Sequence, residues 1–177
     1  MRKVLFLLGQ LSDEDVEWLM SVGTRQAIPP GGVLIQQGHP IDAVYIVLDG
    51  TFAVTVGGRA VNRLGCGEVI GEMSFVDARP PSATVTAEEH ATVFAVPRTD
   101  LAARLEQNAV FAARFYRALT LFLSDRLRST VGLLGYGDER DLAGAGMEEE
   151  ELNPDVLDNV HLAGSRFSTM LQRLADN

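Results

Sequence analysis

Hydrophobic and polar positions along the chain change their period twice. Residues 12–23 read as a short helix: Ser12 caps it, Asp13, Glu14 and Asp15 suit the positive end of its dipole, and Gly23 suits its stop. From Thr24 to Pro97 the pattern turns to short β-branched runs punctuated by glycine. The stretch AVYIVLDGTFAVTVGGRAVNRL, residues 43–64, predicts strands broken at Asp49-Gly50 and Gly57-Gly58, both of which read as hairpin turns. SATVTAEE (82–89) and ATVFAVP (91–97) supply two more strands. Roughly seven or eight short strands, with turns about every eight to twelve residues, predict a sandwich, barrel or jelly roll.

Helical spacing returns after Pro97, as a short helix over Asp100 to Glu106 and a long one over Ala109 to Leu134. The long helix carries two apolar stripes. Phe111, Phe115, Ala118 and Phe122 form one; Tyr116, Leu119, Leu123, Leu127, Val131 and Leu134 form the other. A surface helix needs one apolar face, so the phenylalanine stripe is expected to pack on the β-structure and the leucine stripe to face another chain. Burial of both stripes inside one chain is the alternative. Near the end, Asn153 as cap and Pro154 at the first position predict a tail helix over residues 154–177. Its stripe, Val156, Val160, Ala163, Phe167, Met170 and Leu174, is expected to dock on the β-structure, on a partner's long helix or on another protein.

Charge sharpens the division. The 177 residues carry 15 bases and 24 acids, a net charge of −9. Ten of the acids, against three arginines, fall in residues 138–177, which leaves the first 137 residues nearly balanced. The expected organisation is therefore a domain over 1–136 that includes the long helix, an acidic glycine- and glutamate-rich linker over 137–153, and the tail helix from 154. So acidic a chain argues against holding a phosphate backbone, which takes clustered Lys and Arg. The basic recognition helix of a DNA-binding module is not found after Leu134. The single Cys66 excludes an internal disulfide, and no Cys/His spacing suggests zinc. The apolar run Val4 to Leu8 is too short for a signal-peptide core, and nothing nears the run of about 18 apolar residues that spans a membrane. A cytoplasmic location without membrane contact is expected.

Candidate chemistry concentrates in GEVIGEMSFVDARPPSATV, residues 67–85. The glycine turn Gly71-Glu72-Met73 leads into a short helical turn, whose free amides favour an anion. Glu72 can accept from sugar hydroxyls, while Ser82 and the amide of Ala83 can donate to a phosphate. A bare glycine turn with an exposed glutamate is the other reading of the same residues. His39, His90 and His161 fall on different elements with no nucleophile or carboxylate partner, and no nucleophile-elbow motif is present, so no enzymatic activity is expected. Cys66 has no neighbouring cation to activate it.

Residues 12–134 resemble the cyclic nucleotide-binding domain family, which includes the catabolite activator protein and kinase regulatory subunits. PGGVLIQQGHPIDAVYIVLDG (30–50) is similar to the family's opening hairpins, with Gly31, Leu34, Gly38, Tyr45 and Gly50 at matching intervals, and LGCGEVIGEMSFVDARPPSATV (64–85) resembles its phosphate-binding cassette. The resemblance implies an antiparallel β jelly-roll barrel (a double-stranded β-helix) in an α+β chain, with helices before and after it. It also implies that Glu72 binds a ribose 2′-hydroxyl, that Gly71 and Met73 face the phosphate, and that Ser82 and Ala83 contact its oxygens. The position of the cassette's arginine is held here by Pro81. Losing one member of a buried ion pair typically costs about 3–5 kcal/mol, roughly two to three and a half decades of affinity. Arg79, two residues earlier, is the candidate substitute, although Pro80 and Pro81 bias that stretch toward an extended form.

The function so implied is a stand-alone regulatory sensor for a cyclic nucleotide, cyclic AMP or cyclic GMP, or a related nucleotide. It would dimerise through the Tyr116–Leu134 helix and signal to a partner protein, with the tail helix as a second contact. A degenerate domain serving as a dimeric interaction module without a small ligand is the alternative.

Overall fold

The computed structural model describes residues 3–135 and 154–175. Two helices, not one, precede the β-structure: α1 (Val4–Gln10) and α2 (Asp13–Val22). α1 occupies the apolar run that is too short for a targeting segment. Val4, Leu7, Leu8 and Leu11 recur at helical spacing and are all buried. α2 opens as expected with a reciprocal cap, in which the Asp15 amide donates to Ser12 Oγ (3.3 Å) and the Ser12 amide to Asp15 Oδ2 (2.9 Å).

Asp15 has a second task. The Arg114 guanidinium grips it through Nε (2.7 Å) and Nη2 (3.0 Å), tying α2 to the long helix. Burial pushes the Asp15 carboxyl up, but donation from Arg114 and from the Ser12 backbone and hydroxyl outweighs it and holds the carboxyl below the usual range. A depressed folded-state pKa means stability present above about pH 4 and lost as pH falls through the folded value. Asp15→Asn is therefore expected to be less stable than wild type near neutrality and to lose less on acidification, as read by urea denaturation across pH. An unchanged acid limb would show that Asp15 does not control it.

Eight strands follow: β1 (Thr24–Ile28), β2 (Val33–Ile35), β3 (Ala43–Asp49), β4 (Phe52–Val56), β5 (Arg59–Leu64), β6 (Val69–Ile70), β7 (Thr84–Ala87) and β8 (Ala91–Pro97), with helix α3 (Glu72–Asp77) between β6 and β7. They pair antiparallel as two four-stranded sheets, β1-β8-β3-β6 and β2-β7-β4-β5, in the jelly-roll arrangement expected. Gly57-Gly58 is a hairpin turn, joining β4 to β5. Asp49-Gly50 is not. β3 pairs with β6 and β8, β4 with β5 and β7, so this turn carries the chain from one sheet to the other. Gly50 has φ +85°, and a Cβ there would sit 2.6 Å from the Ala91 Cβ, so glycine serves a sheet crossing rather than a hairpin.

Strand alternation divides the apolar residues between two cores. Ile35, Val47, Phe52, Val85 and Val93 fill the space between the sheets. Val44, Ile46, Leu48, Phe94 and Val96 project from β3 and β8 toward the helices. Because β3 and β8 are covered on both faces, they read as nearly continuous apolar runs.

α4 (Arg98–Gln107) and α5 (Ala109–Gly135) match the two helices expected after Pro97 within a residue or two. The phenylalanine stripe, Phe111, Phe115, Ala118 and Phe122, is buried in the helix-side core. The leucine stripe divides: Leu119 is buried in its own chain and Leu123 packs partly against the same core, whereas Tyr116 is exposed and Leu127 is 65% exposed. The expectation that the whole second stripe faces another chain is thus corrected at Leu119, because α1 folds over that side of α5. The side chains of Val131 and Leu134 lie outside the described residues, as do those of Val156 and Val160, together with Asn153 and the expected linker 137–153.

α6 (Pro154–Ala175) docks on the chain itself, principally on α1. Ala163, Phe167, Met170 and Leu174 are buried there. Arg166 Nη1 donates to the carbonyls of Leu8 (2.6 Å) and Leu11 (2.7 Å), acceptors that the end of α1 leaves without helical partners, while its Nε reaches Asp13 Oδ1 (2.8 Å). Arg25 of β1 does the same for α6, donating to the Leu174 carbonyl (3.0 Å).

Candidate functional site

The site is built where β6 runs into α3. Gly71, between them, has φ +91°, and a Cβ there would lie 2.9 Å from Ile41 Cδ1 and 3.2 Å from the Ala43 carbonyl. Only glycine fits, and the tight turn it allows aims Glu72 inward. α3 ends at Ala78, whose φ of +55° is unusual for a residue with a Cβ and stores strain on the order of 1 kcal/mol. The helix is held from beneath: Arg98 Nη1 donates to the Ser74 carbonyl (2.9 Å), and the Phe75 ring stands edge-on to Phe115 of α5, 6.1 Å between centroids. Beyond the Pro80-Pro81 bend, the Gly38 amide donates to the Pro81 carbonyl (2.9 Å) and the Gln37 amide to Thr84 Oγ1 (3.0 Å). The β2–β3 loop thereby pins residues 81–84 opposite α3.

A cleft opens between these segments. Gly71, Glu72, Met73, Ser82 and Ala83 all line it, and so does Pro81. Most of its remaining wall is apolar, made by Ile35, Val54, Leu64, Val69, Ile70 and Val85. Glu72 is only 4% exposed, so a carboxylate is committed to the interior beside the cleft. This corrects the reading of an exposed glutamate on a bare glycine turn. Apolar walls with a few convergent polar groups suit a ligand that has one flat apolar part and one polar part.

Arg79 does not join them. It is absent from the cleft lining and its side chain is 83% exposed, with Nε 4.0 Å from Asp77 Oδ2. Asp77 Oδ1 also accepts from the Arg79 amide (3.0 Å), so the turn that ends α3 directs the arginine outward before the prolines begin.

Two lining residues escaped the sequence reading. Ser74 lies one turn inside α3. Lys3 arrives from the far end of the chain, just before α1, with Nζ 2.5 Å from Glu68 Oε2. The helical spacing of Val4, Leu7, Leu8 and Leu11 is the signal that could have placed Lys3 on a packed element. Elsewhere, His39 and His90 lie exposed in two different loops and His161 lies exposed on α6, and Cys66 Sγ donates to the Leu48 carbonyl (3.1 Å). Among the described residues no His, Cys, Asp and Glu cluster could hold a metal ion, and no helix is long and apolar enough to cross a membrane.

The family model of the cyclic nucleotide-binding domain matches residues 25–108, which contain most of this cleft. The chain is 31% identical over 143 residues to the cyclic AMP receptor protein of Thermus thermophilus, covering 76% of this chain and 64% of that one. It is 35% identical over 69 residues to a cGMP-dependent protein kinase of Toxoplasma gondii, covering 39% of this chain and 7% of the kinase. The chain thus spans less than two thirds of the length of either relative. Among solved structures, a cyclic nucleotide-binding domain from Methylobacillus flagellatus superposes with a TM-score of 0.68 at 24% identity, covering 79% of this chain and 85% of that one, a likeness of fold.

Proposed function

Residues 25–108 belong to the cyclic nucleotide-binding domain family, and from that premise we propose that the chain is a regulatory sensor that binds cyclic AMP, cyclic GMP or a related nucleotide in the cleft beside α3. The observation that carries this reading is the convergence of Gly71, Glu72 and Met73 from one side of that cleft with Ser82 and Ala83 from the other. In this reading the Glu72 carboxylate accepts from ribose hydroxyls, the amides and hydroxyl of residues 71–73 and 82–83 meet the phosphate, and the apolar wall takes the base. Phe75 against Phe115 gives α3 a direct contact with α5, so occupation of the cleft is passed to the helix that carries Tyr116 and Leu127. Those exposed side chains are the proposed contact with a second copy in a homodimer. The setting is cytoplasmic, where a single unpaired thiol is at home.

Isothermal titration of ligand-free protein with cyclic AMP and cyclic GMP tests the reading, with light scattering on the same sample for the dimer. Binding is expected, weakened about tenfold to hundredfold by Glu72→Gln, because hydrogen bonds to a charged acceptor are worth about 1.5–3 kcal/mol. A monomer at high concentration would remove the dimer from the proposal. Pro81 favours a second reading, an interaction module without a small ligand, since it lines the cleft where the family resemblance implies a cation. The absence of binding heat with every nucleotide would favour that one.

A further inference from the structure

Lys3 is the one basic side chain among the described residues that line the cleft, and Glu72 is the one acidic side chain. The lysine is largely covered, 15% exposed, and its ammonium is shared between Glu68 Oε2, at 2.5 Å, and the face of the Phe122 ring, 5.4 Å from the centroid. Its backbone is fixed as well, because the Val4 amide donates to the Gly67 carbonyl (2.8 Å). A covered lysine at the rim of a ligand cleft, held by a single carboxylate on a flexible stem, can exchange that carboxylate for another anion without moving the chain. An anion placed near the buried Glu72 with no cation at hand is costly. Pro81 supplies none, and Arg79 faces outward, away from the cleft lining.

We propose that Lys3 supplies the cationic contact to the anionic group of the cleft's ligand, giving up or sharing Glu68 when the ligand is bound. The inference rests on the sensor reading and adds to it a contact that comes from outside the family-matched segment. It also makes α1 part of the binding site, and α1 is the helix on which α5 and α6 pack.

Cyclic AMP titrated into the full chain, without added residues at its N-terminus, tests this in wild type, Lys3→Gln, Lys3→Arg and Glu68→Gln. Lys3→Gln should weaken binding about tenfold to hundredfold and make its decline with added salt shallower. Lys3→Arg should restore most of the affinity, and Glu68→Gln should tighten binding severalfold by releasing the ammonium. Because Lys3→Gln leaves Glu68 without its cation, the double variant Lys3→Gln, Glu68→Gln serves as a second, charge-balanced test and should bind as weakly as Lys3→Gln. Wild-type affinity in either glutamine variant of Lys3, or an unchanged salt dependence, overturns the role of Lys3 while leaving the sensor reading intact. No binding by wild type or by Glu68→Gln overturns both.

Discussion

Phe167→Ala is expected to lower the free energy of unfolding by about 3–5 kcal/mol, the usual cost of emptying a buried phenylalanine site. The ring is 3% exposed and belongs to the helix-side core that holds Leu7 and Leu8 of α1 and Phe111 and Phe122 of α5. Two responses are open to the variant, and they differ in what they leave behind. If α6 stays docked, a cavity remains and the whole cost falls on global stability. If α6 lifts away, the cost is limited to the free energy of docking. That local release appears as fast amide exchange along residues 161–174 before the sheets open. Urea denaturation read with amide exchange separates the two. A loss below about 1 kcal/mol with exchange unchanged would show that the ring contributes little to holding α6.

Pro81→Arg is expected to strengthen cyclic AMP binding about tenfold to hundredfold, the worth of one charge-assisted hydrogen bond to a phosphate. The position already lines the cleft, and its carbonyl, which accepts from Gly38, survives the substitution. Proline's fixed φ lies in a region any residue can adopt, so the backbone cost is about 0.4–1 kcal/mol of lost restriction in the unfolded chain. The gain should be larger in a Lys3→Gln background, where the arginine would be the only cation offered to the ligand. Titration of the four proteins in this cycle measures the coupling. Equal affinities with and without the arginine in both backgrounds would show that residue 81 does not face the ligand's charge.

What could be read from the sequence follows from how local each determinant is. Gly71, Glu72, Ser82 and Ala83 were legible because the turn, the helix start and the strand entry lie within a dozen residues of one another. The phenylalanine stripe of α5 was legible because helical period alone sets which side chains share a face. Asp49-Gly50 was misread because a hairpin and a sheet crossing use the same glycine chemistry, and only the pairing of β3 with β8 tells them apart. The outward direction of Arg79 is not legible in the sequence because it is set by Asp77, a side-chain bond that spacing does not reveal. Leu119 looks available to a second chain because its cover comes from α1, a helix of seven residues whose apolar run reads in the sequence only as too short for a targeting segment. Lys3 was missed for the same reason, since its place in the cleft depends on where that helix packs.

The docking of α6 on α1 also orders events during synthesis. α1 emerges from the ribosome well before α6, and the apolar face it turns to Phe167, Met170 and Leu174 has no lasting cover until roughly 150 further residues have been made, at about 5–20 residues per second. The sheets and α5 can be complete while that face is still open, and Leu8 and Leu11 then hold their carbonyls toward water rather than toward Arg166. Docking of α6 on α1 closes a contact between segments roughly 150 residues apart in sequence, a contact of very high order and correspondingly slow. For the interval before it, the nascent chain carries an exposed apolar surface, and a product truncated before α6 is expected to aggregate more readily than the full chain.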